Sequence, residues 1–181
     1  MKRWRFVSFD DGFKDNFACL IGCITAGTEI EGFLFSEIEV DGFDVTSKIV
    51  SLVESSKFKK QLKCIFLSGL TFAGFNVADV QEINKKTGIP VVVIMRKKPD
   101  FNKIINALRN LSNYEKRMEL MKKAGKVSKI SDIYVQVCGC NLDEAERFIE
   151  YSKYKGKIPE GLRIAHLVAS AIIHGESKKR A

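Results

Sequence analysis

Carboxylates stand at two places where an apolar segment of the chain ends. Phe6–Phe13 reads FVSFDDGF, so Asp10 and Asp11 directly follow residues typical of a strand, and Asp41 follows the alternating segment Glu31–Val40. If the two segments are adjacent strands, Asp10 and Asp41 lie close together and repel each other unless a cation lies between them. This pattern predicts a site for Mg²⁺ or Mn²⁺, which prefer oxygen ligands. The alternative is an exposed turn after the first strand, because Asp and Gly are favoured in turns.

The remaining acids and the two histidines have simpler alternatives. Asp44 precedes a helical pattern and is expected to cap it, and Asp79 is either part of the acidic cluster or a solvated helix carboxylate. His166 lies in the apolar helical segment LRIAHLVASAI, where a lone histidine is more often a hydrogen-bonded core residue than a ligand. His174 and Glu176 follow that helix, and Glu176 is expected to be a tail residue.

Glycines and basic residues could bind phosphate. The segment GLTFAGFN follows an apolar run, and its glycines would let backbone N–H groups approach a phosphate, with the asparagine capping a following helix. No lysine and serine or threonine follow it as in a Walker A loop. The candidate nucleic-acid contacts are Gly69, Gly74, Asn76, Arg96, Lys97 and Lys98, and the terminal Lys178, Lys179 and Arg180 could also hold phosphates. The alternatives are a steric requirement for glycine and basic residues that only face solvent.

The charge of the chain is distributed unevenly along its 181 residues. The formal net charge is +8, with −5 in residues 1–45 and +13 in residues 46–181. This asymmetry fits a nucleic-acid partner held around a small acidic centre, although a lysine-rich solvated surface would have the same composition. No apolar run approaches the ~20 residues that span a bilayer, so no membrane partner is expected. The five cysteines fit reduced thiols of a cytoplasmic protein.

The hydrophobic periodicity predicts a mixed α/β fold. Three alternating or apolar segments with short connections predict an antiparallel meander, and the following alternation of helices and strands predicts parallel pairing. The predicted strands are Arg5–Asp10, Phe17–Ala26, Glu31–Val40, Cys64–Leu67, Pro90–Met95 and Ile133–Val137. The predicted helices are Asp44–Phe58, Asn76–Lys86, Phe101–Leu111, Lys116–Lys123, Asn141–Tyr154 and Leu162–Ile173. Together they predict a ribonuclease-H-like fold with helices on both faces of the sheet, as one domain of residues 1–181.

Several segments resemble a known family along almost the whole chain. FDDGF, VDGFDVT, SGLTFAGFNVADV and GESKKRA resemble the archaeal domain of unknown function ninety-nine, which is grouped with endonuclease V in the ribonuclease-H-like superfamily. VSFDD, GIPVVVIMRKK, YVQVCGCNLDEA and KIPEGLRIAH are similar to segments of endonuclease V. This resemblance implies that Asp10 is a metal ligand, that Asp41, or alternatively Asp44, is the second carboxylate, and that His166 lies beside the metal.

Two departures from endonuclease V divide the functional hypotheses. Ser68 stands where that enzyme has a third carboxylate, and FSEIEVDGF replaces the wedge that it uses on a deaminated base. Serine is a poor ligand for a hard cation, and Glu176 is a speculative replacement for the lost acid. The first hypothesis is a divalent-metal phosphodiesterase acting on nucleic acid, weakened by Ser68. The alternatives are a protein that binds nucleic acid or a nucleotide without cutting it, and a scaffold for a small-molecule or protein ligand.

Overall fold

The structure is a computed structural model that describes residues 3–178. Its main sheet has seven strands in the order β3-β2-β1-β4-β7-β9-β8, and β5 and β6 form a small hairpin beside it. The strands are β1 (Arg5–Lys14), β2 (Phe17–Ala26), β3 (Glu29–Glu37), β4 (Leu62–Ser68), β5 (Thr71–Phe72), β6 (Asn76–Val77), β7 (Val91–Met95), β8 (Ser128–Ile130) and β9 (Ile133–Cys138). The helices are α1 (Val45–Ser55), α2 (Val80–Thr87), α3 (Phe101–Leu108), α4 (Tyr114–Lys123), α5 (Leu142–Ser152) and α6 (Glu160–His174).

The pairing of the strands confirms the predicted class of sheet. β1, β2 and β3 form the antiparallel meander, and β4 and β7 continue the sheet in parallel to β1. The expectation of parallel pairing fails at the last strand, because β9 runs antiparallel to β7. Two helices and β8 separate β7 from β9, so the chain enters the sheet from the opposite end through the β8–β9 hairpin.

The first strand is longer than predicted and contains the acidic pair. β1 continues to Lys14 and turns into β2 at Asp15, whose φ of 55° is left-handed. Asp10 pairs with Ile21 and Asp11 with Leu20 in the register of the two strands. The alternative that Asp10 and Asp11 form an exposed turn is therefore wrong, because the cross-strand partners in β2 extend the pairing past them.

Alternate residues of the strands bury against helices on opposite faces of the sheet. Val7 and Phe9 of β1 lie in one core cluster with Ile49 of α1 and Ile83 of α2. Phe6, on the other face, belongs to a cluster formed with α5 and the start of α6. Side chains of successive strand residues point to opposite faces, so one strand supports both cores.

Helix α6 lies unusually close to β1 because small residues face each other at the contact. A Cβ atom added to Gly12 would lie 2.9 Å from the carbonyl oxygen of Ala169. A Cβ atom added to Gly161, in the first turn of α6, would lie 2.5 Å from Oγ of Ser8. Ala165, between these two contacts along the helix, is completely buried. This close approach brings the polar side chains of α6 within reach of those of β1.

The helix that follows GLTFAGFN begins later than predicted. Asn76 and Val77 form strand β6, and α2 starts after Asp79, whose Oδ1 accepts a hydrogen bond from the Glu82 N–H at 3.0 Å. The predicted capping box of Asn141 and Glu144 at the start of α5 is confirmed. The organisation of residues 1–181 as one domain stays a prediction. Among the described residues, no helix is long and apolar enough to cross a membrane.

Candidate functional site

Asp10 and His166 are in direct contact where β1 faces α6. His166 Nδ1 lies 3.1 Å from Oδ2 of Asp10, and the backbone N–H of Asp11 donates to Oδ1 of Asp10 at 2.8 Å. Asp10 is only 7% exposed, whereas the histidine ring is partly open to solvent. The hydrogen bond to Asp10 raises the pKa of His166, and the positive charge of Arg96 opposes this shift. Asp10, His166 and Arg96 therefore meet at one edge of the sheet.

Ser68 lies at this edge as well. Leu67 is the register partner of Phe9 in the parallel pair of β1 and β4, so the next residues, Ser68 and Asp10, are neighbours. Ser68 in turn pairs with Ile94 of β7, two residues before Arg96. The serine thus stands beside the Asp10 carboxylate, where the resemblance to endonuclease V implied a third acid.

Asp11 holds the turn of the β5–β6 hairpin. Its Oδ2 accepts a hydrogen bond from the backbone N–H of Ala73 at 2.7 Å. Burial, followed by the negative charge of Asp10, raises the pKa of Asp11 to about 7. Two adjacent carboxylates in a partly buried place are therefore stable together only when one carries a proton or a cation is near.

Asp41 also binds the turn around Ala73, on the side opposite Asp11. Its Oδ1 accepts a hydrogen bond from the Phe75 N–H at 2.8 Å, and its own N–H donates to the Ala73 carbonyl oxygen at 2.9 Å. Gly74 has a φ of 86°, and a Cβ atom there would collide with Oδ1 of Asp41. The described residues include no hydrogen bond between Asp41 and Asp10. Asp11 and Asp41 instead meet through the peptide groups of one turn.

A buried arginine that the sequence did not single out ties these loops together. Arg117 of α4 is 2% exposed and donates to the carbonyl oxygens of Asp41, Gly42 and Phe75. Its guanidinium carbon lies 4.2 Å from the centre of the Phe43 ring, a cation–π contact. No pattern in the sequence distinguishes Arg117 from the other charged residues of α4, because its partners are backbone atoms far along the chain.

Asn76 is completely buried and fastens the start of α1. Its Oδ1 accepts a hydrogen bond from the Val45 N–H at 3.1 Å, and its Nδ2 donates to Oδ1 of Asp44 at 2.7 Å and to the Glu39 carbonyl oxygen at 2.9 Å. The expected cap of the following helix is thus wrong, because Asn76 caps α1. Asp44 occupies the N-cap position of α1, as predicted, but makes no side-chain capping bond to that helix.

Asp79 is buried rather than solvated. It is 5% exposed, and Lys123 of α4 forms an ion pair with its Oδ2. The Asp79 N–H donates to Oγ1 of Thr46 in α1 at 2.9 Å. Asp79 therefore joins α1, α2 and α4, and it is not part of the Asp10 cluster.

The predicted phosphate contacts that follow β4 and β7 lie on one side of the Asp10 site. Arg96, Lys97 and Lys98 are exposed after β7 and form no ion pair with another described residue. Gly69 has a φ of 78°, and its N–H already donates to two carbonyl oxygens, those of Leu67 and Ile94, so it serves the turn.

A groove of about 340 Å³ runs along α6 beside the Asp10 site. Asp11, His166, His174 and Lys178 line it, whereas Glu176 lies exposed beyond the helix. Lys179 and Arg180 lie outside the described residues.

The described residues contain no group of three or more His, Cys, Asp or Glu side chains arranged to hold a metal ion. The site instead offers the Asp10 carboxylate, the histidine that it holds, the Asp11 carboxylate on the opposite face of β1, and a nearby arginine. Such a set can bind one cation together with ligands from solvent or substrate, and it can move a proton at the histidine.

Comparison with known proteins places the chain. The model of the family described as Endonuclease dU matches residues 2–173. The chain belongs to the Endonuclease dU family. A UPF0215 protein of the archaeon Archaeoglobus fulgidus is 51% identical over 181 residues, which is all of both chains. This confirms the resemblance to an archaeal family.

Solved structures agree with this assignment. A crystallised protein of unknown function from Archaeoglobus fulgidus superposes with a TM-score of 0.94 at 51% identity, covering 96% of this chain and 100% of that one. Ciona intestinalis Endonuclease V in complex with DNA containing an inosine superposes with a TM-score of 0.63 at 11% identity, covering 94% and 86%. The second likeness concerns the fold alone and confirms the predicted ribonuclease-H-like class for this Endonuclease dU family member.

Proposed function

We propose that the protein is a divalent-metal-dependent endonuclease that cleaves nucleic acid at deoxyuridine. The letters dU in the family description stand for this nucleoside. The observation that carries this proposal is the Asp10–His166 pair beside Arg96. The family description supports the reaction class and the substrate. The likeness in fold to an endonuclease V bound to DNA supports a nucleic-acid partner.

The residues at the site fit a hard divalent cation that keeps part of its water shell. Mg²⁺ is usually held by one or two carboxylates and by substrate phosphates, not by a complete protein cage. Asp10 would supply carboxylate oxygens, and the further candidate acids are Asp11, which faces the Ala73 turn, and Asp41 across that turn. Burial and, second, the negative charge of Asp10 raise the pKa of Asp11, and a cation bound nearby would offset the charge repulsion. When bound, Mg²⁺ or Mn²⁺ would activate water and neutralise charge on the departing oxygen.

The side chains of the chain itself have separate roles in this proposal. Because a carboxylate only accepts, Asp10 Oδ2 fixes the proton of His166 on Nδ1 and leaves Nε2 free to exchange a proton at the reacting phosphate. Arg96 is exposed beside this ring and would bind the phosphate group. Lys97 and Lys98 would hold the flanking backbone of the nucleic acid. Asn76 is not included, because its buried amide is used within the protein.

The second candidate function is binding of nucleic acid without cleavage. Ser68 favours it, because an uncharged residue stands beside Asp10 where a third carboxylate would complete the ligand set. A cytoplasmic location, predicted from the cysteines, belongs to either proposal, and all five thiols are free in the structure.

Calorimetric titration with Mn²⁺ and a cleavage assay test the proposal together. We expect the wild type to bind Mn²⁺ and to cut an end-labelled strand with one deoxyuridine, and we expect Asp10→Asn to lose both properties. Asp15→Asn, the same change at the exposed tip of the β1–β2 hairpin, is the matched control and should keep both. Binding of Mn²⁺ without cleavage, combined with cleavage by Ser68→Asp, would favour the non-cutting alternative. No binding of metal in the presence of the oligonucleotide would end the enzyme hypothesis.

A further inference from the structure

A mainly apolar cavity of about 310 Å³ lies beside the candidate site, on the face of the sheet that carries α4. Gly69, Met95 and Phe101 contribute to its walls, and Lys97 and Lys98 contribute to its lining from the segment after β7. Gly69 follows Ser68, and Lys97 follows Arg96, so the cavity and the Asp10 site share one edge of the sheet. A volume of this size is at the lower end of small-ligand pockets.

One buried amide side chain places a hydrogen-bond acceptor in the wall of the cavity. Gln136 of β9 lines the cavity and is 5% exposed. Its Nε2 donates a hydrogen bond to the carbonyl oxygen of Gly125 at 2.9 Å. Because a carbonyl oxygen only accepts hydrogen bonds, the amide is fixed in one orientation. Its Oε1 accepts no hydrogen bond from another residue in the described range 3–178. Since this oxygen is reached from the cavity and has no donor among the described residues, a ligand that carries an N–H group can supply one.

The walls and the charges of the cavity fit a nucleotide. A planar base can pack against Phe101 and Met95, and the lysines at positions 97 and 98 can meet the phosphates on either side of it. With Oε1 of Gln136 facing N3 of a pyrimidine, uracil offers its N3–H as the donor. Cytosine offers a lone pair at the same position and is repelled in that pose.

We infer that this cavity binds a nucleobase turned out of the strand, and that Gln136 selects uracil over cytosine by accepting its N3–H. The inference rests on the proposed function, which supplies the nucleic acid, and adds a residue that separates these two bases. An enzyme that reads one base in a pocket must either flip that base out of a duplex or take single-stranded substrate.

Fluorescence anisotropy with short labelled single strands tests the inference on the wild-type protein in EDTA. The strands differ at one central base, which is uracil, cytosine or N3-methyluracil. We expect about tenfold tighter binding of the uracil strand than of the other two, the effect of one hydrogen bond to a buried acceptor. The N3-methyl base keeps both carbonyl groups of uracil and replaces the N3–H donor by a methyl group, so it tests the donor without a protein variant.

Two glutamine variants locate the effect. Gln136→Leu should bind all three strands equally and keep the affinity of the wild type for the cytosine strand. Gln81→Leu is the matched control, because Gln81 also donates its amide to a backbone carbonyl, that of Lys123, but lies exposed outside the cavity. It should keep the tenfold preference.

The outcomes separate the inference from the function on which it rests. Equal binding of the uracil and N3-methyluracil strands by the wild type would overturn the role of Gln136, even if Gln136→Leu does not fold. A preference that survives in a folded Gln136→Leu would overturn it as well. No binding of any strand by the wild type would instead refute the nucleic-acid function.

Discussion

The replacement Asp11→Asn should stabilise the metal-free protein, and increasingly so as the pH rises. Folding raises the pKa of Asp11 from 3.8 to about 7, mainly through burial and the neighbouring charge of Asp10. The folded state therefore binds a proton at Asp11 that the unfolded state has released between these two values. The contribution of Asp11 to stability is present below pH ~4 and is lost as the pH rises towards ~7.

The size of the effect follows from the same shift. A difference of about three pH units at about 1.4 kcal/mol per unit gives up to about 4 kcal/mol above pH ~8. The introduced amide has no charge to lose, and its side-chain oxygen can still accept the Ala73 N–H that Asp11 accepts at 2.7 Å. The free energy of unfolding of Asp11→Asn minus that of the wild type should thus rise by up to about 4 kcal/mol between pH ~4 and pH ~8.

Urea unfolding in EDTA at several pH values between about 4 and 8 measures this difference. Asp15→Asn, at the exposed tip of the β1–β2 hairpin, is the matched control and should follow the pH dependence of the wild type. A difference between Asp11→Asn and the wild type that is constant with pH would refute the reasoning. It would mean that hydration or another charge offsets the effects of burial and of Asp10 on the Asp11 carboxylate.

Three further predictions concern the network around the Ala73 turn. Arg117→Met should lower the free energy of unfolding by about 3 kcal/mol, because four buried or partly buried carbonyl groups lose their donor, whereas Lys122→Met, at an exposed position of the same helix, should change it by less than about 0.5 kcal/mol in the same urea assay. Gly74→Ala should cost more than Gly88→Ala by about 1 to 3 kcal/mol, since both have positive φ but only Gly74 lies against a carboxylate; equal costs would contradict this contact. Asp41→Asn should keep the thermal stability of the wild type, because its side-chain oxygen can still accept the Phe75 N–H, and Asp41→Ala should lose about 1 kcal/mol. A Mn²⁺ titration of folded Asp41→Asn then reports on the role of this residue as a metal ligand without the loss of the turn.

Much of the fold could be predicted from the sequence because its elements have clear periods. The strict alternation in β1 and β3 and the continuous apolar run of β2 depend on local residues alone. The end of β1 was missed, since Asp-Asp-Gly is typical of a turn and only the partners in β2 extend the strand. The direction of β9 was missed as well, because the β8–β9 hairpin that sets it contains only short strands.

The candidate site was less accessible to sequence reasoning. Only the resemblance to endonuclease V indicated His166, and the structure brings it to Asp10. The roles of Asp11 and Arg117 in holding the Ala73 turn could not be predicted, because each side chain binds backbone atoms of residues more than 40 positions away. A side chain that binds backbone atoms leaves no complementary residue type in the sequence.

The separation of Asp10 and His166 is set by residues that carry no functional group. Gly12, Gly161 and the alanines of α6 act as a spacer of minimal thickness between strand and helix. A methyl group more at Gly12 would push α6 outward and lengthen the 3.1 Å contact while removing no reactive atom. Substitutions at Gly12 and Gly161 should therefore disturb the site, although a mutagenesis limited to charged and polar residues would omit them. Substitutions at Gly12 or Gly161 that add one carbon atom at a time would therefore change the distance between Asp10 and His166 in small steps.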